Sequence, residues 1–108
     1  MDFALSEEQL MYQDMVRKFA TKEIKPVAME FDQKSDPEEA VPLELTRKGF
    51  EQGFHQMIVP ADMGGTGLNA LSSLVILEEL AAGDAGYATT WHVNNVTLTT
   101  LLNLGGVE

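Results

Sequence analysis

Cysteine is absent from this 108-residue chain, which excludes disulfides, thiolate nucleophiles and cysteine-zinc sites and leaves the redox compartment open. Basic residues are scarce. Seven lysines and arginines stand against 17 aspartates and glutamates, for a formal net charge of -10. A surface of that sign repels a phosphate backbone, so nucleic acid is excluded as a partner. No apolar run approaches the ~20 residues of a bilayer span, and the N-terminus opens on acid rather than on a basic signal sequence. The chain reads as a soluble intracellular protein with one modest core, near the lower limit for a self-contained catalyst. There is no internal repeat and no low-complexity tract.

What the sequence does have is a shaped turn, around which the rest is organised. Ile58-Val59-Pro60-Ala61-Asp62-Met63-Gly64-Gly65-Thr66-Gly67-Leu68 runs from apolar residues through a proline into three glycines. Proline cannot continue a preceding helix, and glycine permits backbone conformations that other residues avoid. A phosphate-binding loop would also use glycine. This one lacks a Lys-Ser or Lys-Thr pair, dinucleotide-fold glycine spacing and a preceding strand, so a structural turn is favoured.

On either side of the turn the pattern is helical. Ser6 with Gln9 forms a capping box, with Glu7 and Glu8 in the first turn. Tyr12, Val16, Phe19, Ala20, Val27 and Phe31 then recur at helical spacing, and Pro26 is expected to bend or divide this first helix. Asp14 with Lys18 and Glu30 with Lys34 lie one turn apart. Ser35-Asp36-Pro37 ends it. A short second helix starts near Pro42, with Leu43, Leu45, Thr46, Phe50 and Phe54 as its apolar side and Glu44 paired with Lys48 outside. Gly49 weakens that helix and Gly53 ends it. Asn69 or Ser72 caps a third, whose apolar density through Leu71, Leu74, Val75, Leu77, Leu80 and Ala81 implies burial on more than one side, with closure at Gly83. Asp84 caps a fourth, from Ala85 to Leu104, stopped by Gly105-Gly106. Its threonines and asparagines carry no charge, a poor solvent face that reads as made to be covered.

Chemical signals are few. Glu78-Glu79 is the one adjacent carboxylate pair on an apolar helix, but neighbours point about 100° apart, which favours pairing with another helix over catalysis. His55 and His92 have no further ligand at metal spacing. The methionines Met1, Met11, Met15, Met29, Met57 and Met63 read as core fillers. No nucleophile triad can be assembled.

In their order, these motifs resemble the N-terminal helical domain of the acyl-CoA dehydrogenases. Leu5-Ser6-Glu7-Glu8-Gln9, Val16-Arg17-Lys18-Phe19-Ala20, Glu23-Ile24-Lys25-Pro26, the turn at 58–68 and Glu78-Glu79-Leu80-Ala81 are similar to the family's pattern across nearly the whole chain. Val59 and Ala61 depart from it. The resemblance implies an all-α fold of four main helices in which residues 1–108 are a truncated domain, lacking the family's middle β-domain and C-terminal helical domain. It also implies an FAD enzyme that oxidises an acyl-CoA thioester to the 2,3-enoyl thioester, a carboxylate taking the α proton while the β hydride passes to the flavin. The catalytic glutamate and most of the FAD site would lie beyond Glu108, so these residues alone would be inactive. The partners implied are acyl-CoA, an electron-transfer flavoprotein and further copies of the chain. By analogy Thr89, His92, Val93 and Val96 face the acyl-chain pocket, and their spacing does place them on one side of a helix. His92 departs from the family there, and disfavours a long alkyl tail or suits a functionalised one. Met1 so near the first helix favours bacterial cytoplasm over the mitochondrial matrix. Two alternatives share the sequence: the same domain in an acyl-CoA oxidase or flavin monooxygenase, and a stand-alone helical module whose fourth helix binds a protein.

Overall fold

The computed structural model describes residues 3–105, whose regular structure is all helical, with no strand among them. The first helical rod is α1 (Glu7–Phe19) followed by α2 (Lys25–Asp32), and Ser6 starts it through both arms of the expected capping box. Between the two lies a wider π-type turn, Ala20–Ile24, in which the Lys25 N–H reaches back five residues to the Ala20 carbonyl. The expected division at Pro26 is thus made just before it. Pro26 sits in the first turn of α2, where a missing N–H costs nothing, and the rod stays continuous instead of breaking.

Helix α3 (Leu43–Glu51) ends where Gly53 takes a left-handed conformation with φ 83°, as its sequence position implies. Two further expectations for α3 need correction. Glu44 pairs with Arg47, which also reaches Glu51, while Lys48 crosses to Glu23 at 2.9 Å and ties α3 to the first rod. Of the apolar side, Leu45 and Phe54 are buried but Leu43 and Phe50 are exposed, because α3 touches the core along a narrow edge. Asp14 and Lys18 pair at 2.8 Å. Among the described residues no ion pair joins Glu30 to Lys34, since α2 ends at Asp32.

The glycine turn is a structural turn. Gly64 and Gly67 both have positive φ, at 92° and 69°. Gly65 is required for a different reason: a Cβ there would run into the Val59 main chain. The turn's N–H groups bond inward, Gly64 to the Ala61 carbonyl, Gly65 to Pro60, Gly67 to Val59 at 2.8 Å and Leu68 to Met57 at 2.9 Å. Helices α4 (Ala70–Gly83) and α5 (Ala85–Leu104) follow, the first capped by Asn69 and the second by Asp84. Of the glycine stop after α5, Gly105 is described and Gly106 lies outside the described residues.

α4 packs between α1 and α5. The core runs through Val16, Phe19, Ile24, Phe54, Ile76, Leu80, Tyr87 and Trp91, with the rings of Phe19 and Phe54 edge to face at 5.0 Å. Lying between α1 and α5, α4 is covered on more than one side, but the cover is incomplete: Leu71 and Leu74 are more than half exposed. Met57 alone among the described methionines is buried, and Met11, Met29 and Met63 lie on the surface. The Cα radius of gyration is 14.8 Å, against ~13 Å for a compact chain of this length. The chain is a slab only 23 Å thick, with apolar surface left open.

Candidate functional site: the open face of α5

Two side chains fix the rotation of α5 and a third fixes its start. The Trp91 indole N–H donates to the Phe54 carbonyl at 2.7 Å, the Asn94 amide donates to the His55 carbonyl at 3.0 Å, and Asp84 accepts from the Tyr87 N–H at 2.9 Å. Tyr87, Ala88, Trp91 and Asn95 are thereby turned inward. Thr89, His92, Val93 and Val96 all come to lie exposed on the other side, so the structure keeps together the four residues that the sequence places on one face.

That face is more apolar than its composition implies. The hydroxyl of Thr89 donates to the Ala85 carbonyl at 2.9 Å, Thr97 to Val93 at 3.0 Å and Thr100 to Val96 at 3.0 Å. With each hydroxyl hydrogen bonded to its own helix, the methyl groups join Val93 and Val96 in an apolar stripe. His92 is the polar head beside it. α5 carries no carboxylate, so the stripe binds and excludes water without contributing an acidic side chain.

The only acidic pair on α4 is also used structurally. Glu79, 8% exposed, accepts from Arg17 Nε at 3.0 Å and Nη2 at 2.7 Å, a bidentate bond that locks α4 to α1. Glu78 points outward. Sequence reasoning expects pairing for one member of this doublet; it does not identify Arg17.

A buried polar cluster supports α5 from beneath. His55 is 1% exposed and stacks on Phe50 at 4.2 Å, and its Nε2 is 3.4 Å from the Tyr87 hydroxyl. Burial lowers the His55 pKa and raises that of Tyr87 to about 12. The folded state therefore favours neutral His55, and its contribution is complete above the unfolded-state histidine value of about 6.5. As pH falls below that value the unfolded chain gains a proton that the folded one resists. The urea midpoint should fall between pH 6.5 and 5, and His55→Phe should flatten that part of the profile.

Among the described residues no group of three potential metal ligands occurs. The glycine turn does not fit a flavin dinucleotide either, because the N–H groups that would meet its phosphates are bonded inside the turn. No described helix is long and apolar enough to cross a membrane.

The described residues thus form an all-helical slab with an open face on α5. The model of the family described as "Acyl-CoA dehydrogenase, N-terminal domain" matches residues 6–108, and the chain belongs to the acyl-CoA dehydrogenase family. Among its relatives are the mitochondrial isobutyryl-CoA dehydrogenases of Bos taurus and Dictyostelium discoideum, each 34% identical over 104 residues, or 96% of this chain. The chain spans 24% of the length of each. A solved structure described as "Electron transferring flavoprotein of Acidaminococcus fermentans: Towards a mechanism of flavin-based electron bifurcation" contains a similar chain. It superposes with a TM-score of 0.71 at 35% identity, covering 84% of this chain and 23% of the other.

Proposed function

We propose that residues 1–108 are the N-terminal helical part of an acyl-CoA dehydrogenase and that the open face of α5 is one wall of its acyl-chain pocket. The observation that carries the reading is the stripe of Thr89, Val93 and Val96, exposed together on a helix whose threonine hydroxyls are bonded inward. The thioester leaves as the 2,3-enoyl thioester, with FAD and the base supplied by polypeptide outside these residues. The part played here is to hold the alkyl chain and keep water from it. Alone, the chain is inactive.

Both named relatives act, by their names, on isobutyryl-CoA, which supports a short, branched acyl group. The β-branched Val93 and Val96 suit a short occupant, and His92 places a polar ring where a long tail would need apolar surface. An electron-transfer flavoprotein as acceptor fits the description of the similar solved structure. Further copies of the chain would cover surface that the slab leaves open. Bacterial cytoplasm and the mitochondrion named for the relatives both suit this chemistry. An oxidase or monooxygenase would share the wall and differ only in how oxygen is handled elsewhere. A free-standing interaction module would use the same stripe without acyl-CoA.

In the intact enzyme Val96→Trp should fill the pocket. The ratio of kcat/KM for a butyryl thioester over an octanoyl thioester should rise by about tenfold or more. An unchanged ratio removes α5 from the pocket.

A further inference from the structure

The imidazole of His55 has no part in the acyl-chain reading, and its surroundings make no provision for a second proton. His55 stands in the single helical turn Phe54–Gln56, which packs against α3 and α5. Its Nδ1 is buried without a hydrogen-bond partner among the described residues, and its Nε2 meets only the Tyr87 hydroxyl. A neutral ring fits this slot with Nε2–H given to the hydroxyl and Nδ1 left as a bare acceptor. Imidazolium would add a positive charge and an unmatched N–H, both costly in a buried place.

No carboxylate is placed to offset that charge. The charged side chains of α3 are Glu44, Arg47, Lys48 and Glu51, and they are taken up by one another or, for Lys48, by Glu23. On α5 the titratable groups are Tyr87, which burial keeps neutral, and His92, which is exposed. Asp84, just before α5, accepts from the Tyr87 N–H. Burial alone therefore acts on His55, and it lowers the pKa.

The way out is short. Phe50 stacks on the imidazole with the two planes 10° apart and is itself 49% exposed, so on that side the cover is one aromatic ring. Gly53 has open space beside it. The two carbonyls of the turn are fastened separately, that of Phe54 by Trp91 and that of His55 by Asn94.

We propose that His55 is a proton-operated catch on α5: protonation drives the imidazole out past Phe50 and pulls its carbonyl from the Asn94 amide, while Trp91 stays fastened to Phe54. Acid thereby loosens the stretch of α5 that carries Val93 and Val96. The catch stands on this packing and holds whether or not the stripe binds an acyl chain.

The test is hydrogen exchange, read by mass spectrometry on the intact gene product and corrected for the intrinsic pH dependence of amide exchange. In residues 50–59 the Gly53 N–H bonds to the Phe50 carbonyl and the Val59 N–H to that of Gln56, so these amides report the swing. One proton taken up by the open form at the ordinary histidine value of about 6.5 allows at most a change of about tenfold between pH 7.5 and 5.5. Protection of 50–59 should fall by about threefold or more, and His55→Phe should abolish the fall. A local opening exposes little surface, so at pH 5.5 exchange in 50–59 should ignore dilute urea while exchange in 12–20 of α1 quickens with it. Asn94→Ala should lower the protection of 50–59 already at pH 7.5. A fall of less than about threefold overturns the proposal, as does exchange in 50–59 that follows urea in step with 12–20. So does unchanged protection in Asn94→Ala. The pH and urea comparisons in the unsubstituted protein stand whether or not the variants fold.

Discussion

Replacing Gly49 with alanine should lower the thermal unfolding midpoint and the urea midpoint of this chain, with a loss of about 2 kcal/mol or more. Helix propensity alone gives the opposite sign, because alanine in a helix interior is favoured over glycine by about 1 kcal/mol. The structure decides between them. A Cβ at Gly49 would collide with the Tyr87 hydroxyl and come within 2.9 Å of His55 Nε2. Neither ring can retreat: Tyr87 is 2% exposed and His55 1% exposed, with Phe50 stacked on the imidazole. Gly53→Ala makes a useful comparison. Nothing lies within 4 Å of that position, so only its left-handed φ of 83° is strained, at about 1 kcal/mol. A rise in the midpoint for Gly49→Ala would mean that α3 does not approach α5 as described.

Trp91→Ala should have the larger effect. Truncating a fully buried tryptophan costs ~3–5 kcal/mol, and the Phe54 carbonyl would lose the indole N–H that now lies 2.7 Å away. Domains of this size have ~5–15 kcal/mol in total. The variant should therefore unfold at low urea or lack a cooperative transition, followed by far-UV circular dichroism because the fluorophore is gone. A shift of less than about 1 kcal/mol would contradict the view that Trp91 holds α5 to the core.

These two residues show where the sequence is readable and where it is not. Caps are local, so Ser6, Asp84 and the glycine stop at Gly53 could be found from neighbours in sequence. The glycine turn was readable for the same reason. Long-range packing was not. Gly49 looks like a weak point until Tyr87 is brought against it, and nothing in the spacing of Lys48 says that Glu23 will take it from Glu44. The exposure of Leu71 and Leu74 is not legible either, because apolar density along a helix cannot say whether the covering structure lies within these residues.

The candidate site divides in the same way. Four residues at i, i+3, i+4 and i+7 must share a helix face, so the stripe on α5 was visible. Its apolar character was not, since that depends on threonine hydroxyls folding back onto their own helix. The burial of His55 carried no sequence signal of its own. Only the approach of Gly49, Phe50 and Tyr87 closes the slot around it.

The most direct measurement takes the native gene product that contains these residues, purified from its source. It is incubated with isobutyryl-CoA and butyryl-CoA in the presence of an artificial electron acceptor, and the thioesters are weighed by mass spectrometry. The expected result is acceptor reduction matched by a 2,3-enoyl thioester lighter by one proton and one hydride. Thioesters recovered unchanged from a folded native product would contradict the assignment of this chain to a working acyl-CoA dehydrogenase.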